Sequence, residues 1–150
     1  MNANRKIRAF FDGCCEPVNP GGTMGFGAVV YNSGREIWHA SGISRPQDSI
    51  HQTTSNAAEY AGLLAVLWGL IELGYQRHEI EICGDSQLVI RQMQGKWRIC
   101  SGAYIGAALE ARELLKQFSR ARLRWIPREQ NKRADALSKA KLGPIHRRAA

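Results

Sequence analysis

Four carboxylates stand where side-chain chemistry could gather: Asp12 in FFDGCC, Glu59 in SNAAEY, Asp85 in GDSQ and Asp135 in KRADALS. Each has an ordinary explanation. Asp12 can belong to an Asp-Gly turn, and Asn56 with Glu59 can form a capping box with Asn56 as N-cap. Asp85 can cap the helix after it, and Asp135 can complement a helix dipole. Together, however, they fall at a strand end, a helix start, a second strand end and a second helix start. That is where an α/β sheet forms its ligand-binding edge. Carboxylates packed together repel and raise one another's pKa unless cations sit among them, and oxygen donors favour hard ions such as Mg²⁺ or Mn²⁺. Two such ions roughly 3.5–4 Å apart can activate a water and stabilise the departing oxygen of a phosphodiester. Asp12, Glu59, Asp85 and Asp135 are the expected catalytic and metal-binding residues.

The elements that must position these acids follow from periodicity and turn chemistry. Residues 5–12 form a β-rich run ending at Asp12-Gly13, followed by the turn-formers Pro17, Asn19, Pro20, Gly21 and Gly22. Residues 25–31 and 36–43 predict two further strands joined by a hairpin turn at 32–35. A polar loop leads to AAEYAGLLAVLWGLIEL, apolar on nearly all sides, which predicts a deeply packed helix closing at Gly74. EIEICG alternates as a strand, QLVIRQM follows as a short helix, and residues 103–118 carry helical spacing. Residues 120–126 alternate as a last strand, and Asn131 caps a final helix through Leu142. Gly143-Pro144 then stop that helix before a mobile basic tail, residues 143–150. The expectation is an α/β fold, a mixed five-stranded sheet flanked by helices, in one domain over residues 1–150.

A chain of 150 residues can bury roughly 68–70% of its unfolded surface without disulfide staples. At 44% hydrophobic and 23% charged residues it matches an ordinary folded domain rather than a disordered or fibrous chain. Residues 63–71 fall short of the ~20 apolar residues of a membrane span, and the start has no signal-peptide core, so a cytoplasmic monomer without membrane contact is expected. Cys14, Cys15, Cys83 and Cys100 have no metal-binding spacing and are expected as reduced thiols. The glycines at 21, 22, 25 and 27 do not make a phosphate loop, since they lead into a strand. The net charge of +8 is concentrated: residues 119–150 carry 10 Lys/Arg against Glu129 and Asp135. Such a segment suits a phosphate backbone or a solvated basic face.

FDGCC followed by NPGGTMGFGAVV, then TTSNAAEY, GDSQLVIRQM and WIPREQNKRADALS, resemble the four motifs of type 1 ribonuclease H, in order, across about residues 6–142. The resemblance implies a ribonuclease H-like sheet with three antiparallel strands and then two parallel ones. It implies an endonuclease that cuts the RNA strand of an RNA–DNA hybrid with two Mg²⁺ or Mn²⁺ ions and leaves 3′-hydroxyl and 5′-phosphate ends. Asp12, Glu59, Asp85 and Asp135 match the family's metal-binding acids. Asn56 and Gln87 match polar positions facing the substrate near the cut, where the 2′-OH distinguishes RNA from DNA. Gly13, Cys14, Asn19, Ser55, Lys96, Trp97, Arg128 and Asn131 complete the expected substrate contacts.

Three departures from the family pattern stand out. Pro127-Arg128-Glu129-Gln130-Asn131 lacks the histidine many members carry before the last acid, and Arg128 is expected to contact phosphate there. Only 17 residues separate Asp85 from the 103–118 helix, too few for the extra basic helix of some members, which leaves Lys96, Trp97 and Arg98 as the local contact. Ser55 replaces the first of two amides before Glu59, which leaves room for activity on RNA–RNA duplexes as well as hybrids. The rival function is a non-catalytic module that binds hybrid or duplex RNA on the same fold.

Overall fold

A computed structural model describes residues 6–46, 52–100 and 102–142 of the chain. Strands β1 (Ile7–Glu16), β2 (Thr23–Asn32) and β3 (Arg35–Ser44) precede helix α1 (Ser55–Glu72). Strand β4 (Glu79–Gly84), helices α2 (Gln87–Met93) and α3 (Ile105–Leu115), strand β5 (Arg120–Trp125) and helix α4 (Lys132–Lys139) complete the order, with a 3-10 turn at Arg128–Gln130. One five-stranded sheet runs β3-β2-β1-β4-β5. β1–β2 and β2–β3 are antiparallel, while β4 is parallel to both β1 and β5. This is the expected mixed sheet. The expected tail, residues 143–150, lies outside the described residues.

Alternation along β1 sends Ile7, Ala9 and Phe11 to one face, where they are buried with Ile80 and Ile82 of β4 against Leu63, Val66, Leu67 and Leu70 of α1. Helix α1 stops as expected through a Schellman motif: Tyr75 N–H donates to Leu70 O, Gly74 N–H donates to Ile71 O, and Gly74 takes the left-handed φ of 76°. A buried polar chain fastens the helices to one another, with Tyr60 OH donating to Gln92 Oε1 (2.7 Å) and Gln92 Nε2 donating to Tyr104 OH (3.2 Å). Helix α4 packs on the opposite face, over β2 and the C-terminal half of β1.

Four expectations are corrected. β1 does not end at Asp12: β2 pairs with it through Asp12↔Gly27 as far as Glu16↔Thr23, so Asp12-Gly13 is mid-strand and not a turn. Thr54, not Asn56, caps α1, its side chain accepting from Ala57 N–H, so no Asn56/Glu59 capping box forms. Ser86, not Asp85, caps α2 by accepting from Val89 N–H. Helices α3 and α4 are shorter than their apolar patterns: Tyr104 and Phe118 are buried from outside α3, and Leu142 is buried from beyond α4.

The first turn of α1 lies directly on β1 at Gly13, where a β-carbon would overlap the Ala58 carbonyl group and the Glu59 nitrogen. Only glycine permits that approach. Gly13→Ala should force the helix away from the strand and cost about 3 kcal/mol or more, read as a lowered urea midpoint at unchanged m-value.

Candidate active site

The parallel register of β1 and β4 dictates the centre of the site. Phe10 pairs with Cys83, so two residues further on Asp12 stands beside Asp85, just past the end of β4. Neighbouring strands lie only about 4.8 Å apart, which puts two carboxylates side by side. The close approach at Gly13 brings Glu59 in from α1, and one oxygen from each of Asp12, Glu59 and Asp85 fits in a group within 4.8 Å of one another.

Asp12 is 4% and Glu59 9% exposed, so little water reaches either charge. Burial, reinforced by the Asp85 charge, pushes the Asp12 carboxyl up from 3.8 to about 7, although a hydrogen bond with Glu59 and the Gly13 N–H donated to Oδ1 (2.9 Å) pull it down. Burial, then the charges of Asp12 and Asp85, holds Glu59 well above the usual carboxylate range. Glu59 Oε2 is buried with no hydrogen-bond partner among the described residues. A dry group of acids with an orphaned oxygen fits a hard divalent cation, and Asp12, Glu59 and Asp85 are the residues placed to hold it.

The fourth acid lies at the margin of this group, against Asp12. Asp135, in the first turn of α4, lies 3.4 Å through Oδ1 from Lys139 Nζ and is not in the three-acid group, although it contributes to raising Asp12. Three of the four expected carboxylates share the tight group, and Asp135 approaches it through a side-chain interaction with Asp12 while also pairing with Lys139.

Asn131 takes a post that its sequence position concealed. It is 1% exposed, and its Nδ2 donates to Phe11 O (2.9 Å) and to Asp85 Oδ2 (3.0 Å), locking the α4 entry to β1 and aiming Asp85. It neither caps α4 through its side chain nor presents surface to a substrate. Gly13 is likewise buried, and Cys14 is half-buried with its thiol 3.5 Å from Ser138 O. Asn19 and Ser55 bind each other: Asn19 Nδ2 donates to Ser55 Oγ (2.8 Å) and Ser55 N–H to Asn19 Oδ1 (3.0 Å), tying the β1–β2 loop to the start of α1. Asn56 in the first turn of α1 and Gln87 at the start of α2 are exposed, as are Lys96, Trp97 and Arg128. Trp97, 47% exposed, borders a cleft with Ile105, Leu109 and Arg112, and no helix lies between α2 and α3 among the described residues.

Residues 10–141 match the family model described as reverse transcriptase-like. The chain is 33% identical to the RNase H1 of the halophilic archaeon Halobacterium salinarum, whose crystal structure superposes with a TM-score of 0.78 over 91% of this chain and 97% of that one. The chain belongs to the type 1 ribonuclease H family. LC11-RNase H1, solved in complex with an RNA/DNA hybrid, is 29% identical with a TM-score of 0.77, covering 90% of this chain and 95% of that one. A bifunctional protein of Mycobacterium tuberculosis is 35% identical over 120 residues, 80% of this chain. The chain spans 31% of that relative's length. No helix among the described residues is long and apolar enough to cross a membrane.

Because folded Asp12 keeps its proton to about pH 7 while the unfolded chain releases it near 3.8, its contribution should make stability in chelator fall as pH rises from about 4 to about 7, in the same direction as that of the raised Glu59. Asp12→Asn should reduce that fall, Glu59 supplying what remains, and be more stable than the parent at pH 8 by roughly 2–4 kcal/mol. Thermal melts of both proteins across this range in EDTA measure it, and a variant less stable than the parent at pH 8 would contradict the electrostatic account.

Proposed function

We propose that the chain is a metal-dependent endoribonuclease that cleaves the RNA strand of RNA–DNA hybrids and leaves 3′-hydroxyl and 5′-phosphate ends. The observation that carries this reading is the crowded group of Asp12 and Glu59, both buried, with the half-buried Asp85, whose crowding favours protonation unless cations are present. Two Mg²⁺ or Mn²⁺ ions held there would neutralise the scissile phosphate, activate water and stabilise the departing oxygen. The hybrid complex of LC11-RNase H1 supports the choice of substrate.

The chain's own residues do the positioning. Asp12 and Asp85 offer fixed oxygens from adjacent strands, Glu59 closes the group from above, and Asn131 keeps Asp85 from rotating away. Asp135, already against Asp12 and tied to Lys139 by a partly exposed ion pair worth little in water, completes the site. Asn56 and Gln87, exposed at the starts of α1 and α2, take the minor groove, where amides can recognise 2′-hydroxyls. Arg128 keeps its charge at any working pH and takes a phosphate rather than transferring protons. The Asn19–Ser55 pair leaves the substrate one amide fewer beside Glu59, and cleavage of RNA–RNA duplexes is proposed as a weaker second activity.

Strand-labelled hybrid incubated in Mg²⁺, Mn²⁺ or EDTA tests the reading. Cuts should appear in the RNA strand only, require metal, and fall by at least about a thousandfold in Asp12→Asn, which should still bind hybrid. Binding without cleavage by the parent protein in either metal would favour the non-catalytic module instead. Asn131→Ala, which frees Asp85, should weaken Mn²⁺ affinity about 10- to 100-fold, measured by calorimetry.

A further inference from the structure

The sheet face opposite α1 is only partly covered. Helix α4 packs over β2, β3 and the C-terminal half of β1, whereas the N-terminal half of β1, β4 and β5 meet no helix on that side among the described residues. Register aligns Tyr31, Arg8, Glu81 and Arg122 in one row across this face, and Phe10, Cys83 and Arg124 in the next. Phe10 and Tyr31 meet edge to face at 5.6 Å, and the Arg8 guanidinium lies 5.3 Å from the Phe10 ring centre. Beside them a recess of about 250 Å³ is bordered by Arg8, Phe10, Tyr31, Gln130 and Arg133.

Two features mark the kind of occupant. Adjoining aromatic rings in a shallow recess, half-buried yet reached by solvent, offer a surface on which an unpaired base can stack. The charge around them is positive: Glu81 serves both Arg8 (3.1 Å) and Arg124 (3.3 Å), and Arg122 has no ion pair among the described residues. An arginine shared with a second cation over one carboxylate still has donors left for phosphate. The face is also continuous with the acidic site, since Phe10 precedes Asp12 by two residues on the same side of β1, and Asn131 borders the recess while holding Asp85. A duplex cannot lay its stacked bases on such rings, but a single strand can.

We infer that this open face is a second nucleic-acid site, which takes a single strand by stacking bases on Phe10 and Tyr31 and pairing phosphates with Arg8, Arg122 and Arg124. It lies outside the acidic group and its binding is read without catalysis, so it stands or falls separately from the nuclease reading. In that setting it would hold the unpaired strand flanking a hybrid.

Fluorescence anisotropy with a labelled oligothymidylate of about 12 nucleotides, in EDTA, tests the inference. The full chain should bind it. Arg122→Gln with Arg124→Gln should weaken binding at least tenfold and flatten the slope of log K against log salt by about 1.4, two lost phosphate contacts on a single strand. Tyr31→Leu, checked for unchanged melting, should weaken it about five- to a hundredfold. Cleavage of a blunt hybrid, where the parent protein shows it, should stay within about twofold in these variants. No oligothymidylate binding by the parent at low salt would overturn the inference, whether the face is vacant or holds another partner. So would variants that bind as tightly as the parent, or a matching loss of blunt-hybrid cleavage, which would assign the face to the hybrid groove.

Discussion

The structure turns on the pairing of β1 with β4, whose parallel register leaves Asp12 and Asp85 no alternative to lying side by side. Two carboxylates at strand spacing, one of them almost without access to water, oppose folding at neutral pH, and Glu59 adds a third. Among the described residues no cation pairs with Asp12, Glu59 or Asp85, and Lys139 pairs with Asp135 instead. The apolar core beneath β1, made by Ile7, Ala9 and Phe11 against α1, must outweigh this cost. Such an arrangement is one that a hard divalent cation would relieve.

The hydrogen-bonding economy around the acids points the same way. Asp85 stands next to the start of α2 and could have capped it, yet Ser86 does that work, as Thr54 does for α1, so neither Asp85 nor Glu59 is spent on a cap. Asn131 commits its amide donors to Phe11 O and Asp85, leaving its own Oδ1 buried and unpartnered among the described residues, as Glu59 Oε2 is. Orphaned buried oxygens are costly for stability alone, and that of Glu59 is intelligible as spare ligand capacity.

Much of the architecture was legible because apolar periodicity changes cleanly along the chain: alternation in 79–84 and 120–125, an all-round apolar helix in α1, and Ser33-Gly34 with positive φ in the hairpin turn. The acids were legible for the same reason, since strand ends and helix starts locate themselves. Misreadings arose where a local signal competed with a distant partner. Asp12-Gly13 has turn chemistry, but cross-strand pairing with β2 prevails, and the glycine serves a helix that arrives some 45 residues later. Asn131 has cap chemistry, but its amide is claimed by β1 and β4. The Tyr60–Gln92–Tyr104 chain gave no signal, because each member looks like an ordinary residue of an amphipathic helix until three helices meet.

The basic excess of the C-terminal quarter acquires direction only in three dimensions. The alternation that makes residues 120–125 a strand sends Ala121, Leu123 and Trp125 into the core and Arg120, Arg122 and Arg124 out on one face. Arg128 and Lys139 stand instead along the edge that carries the acids. A polyanion nearing the molecule therefore meets positive charge on two adjoining surfaces and a cluster of acids between them. Attraction from the flanks and repulsion at the centre are compatible only if the centre is neutralised when the phosphate arrives, so the charge of the whole chain and the crowding of three carboxylates make the same demand for a cation.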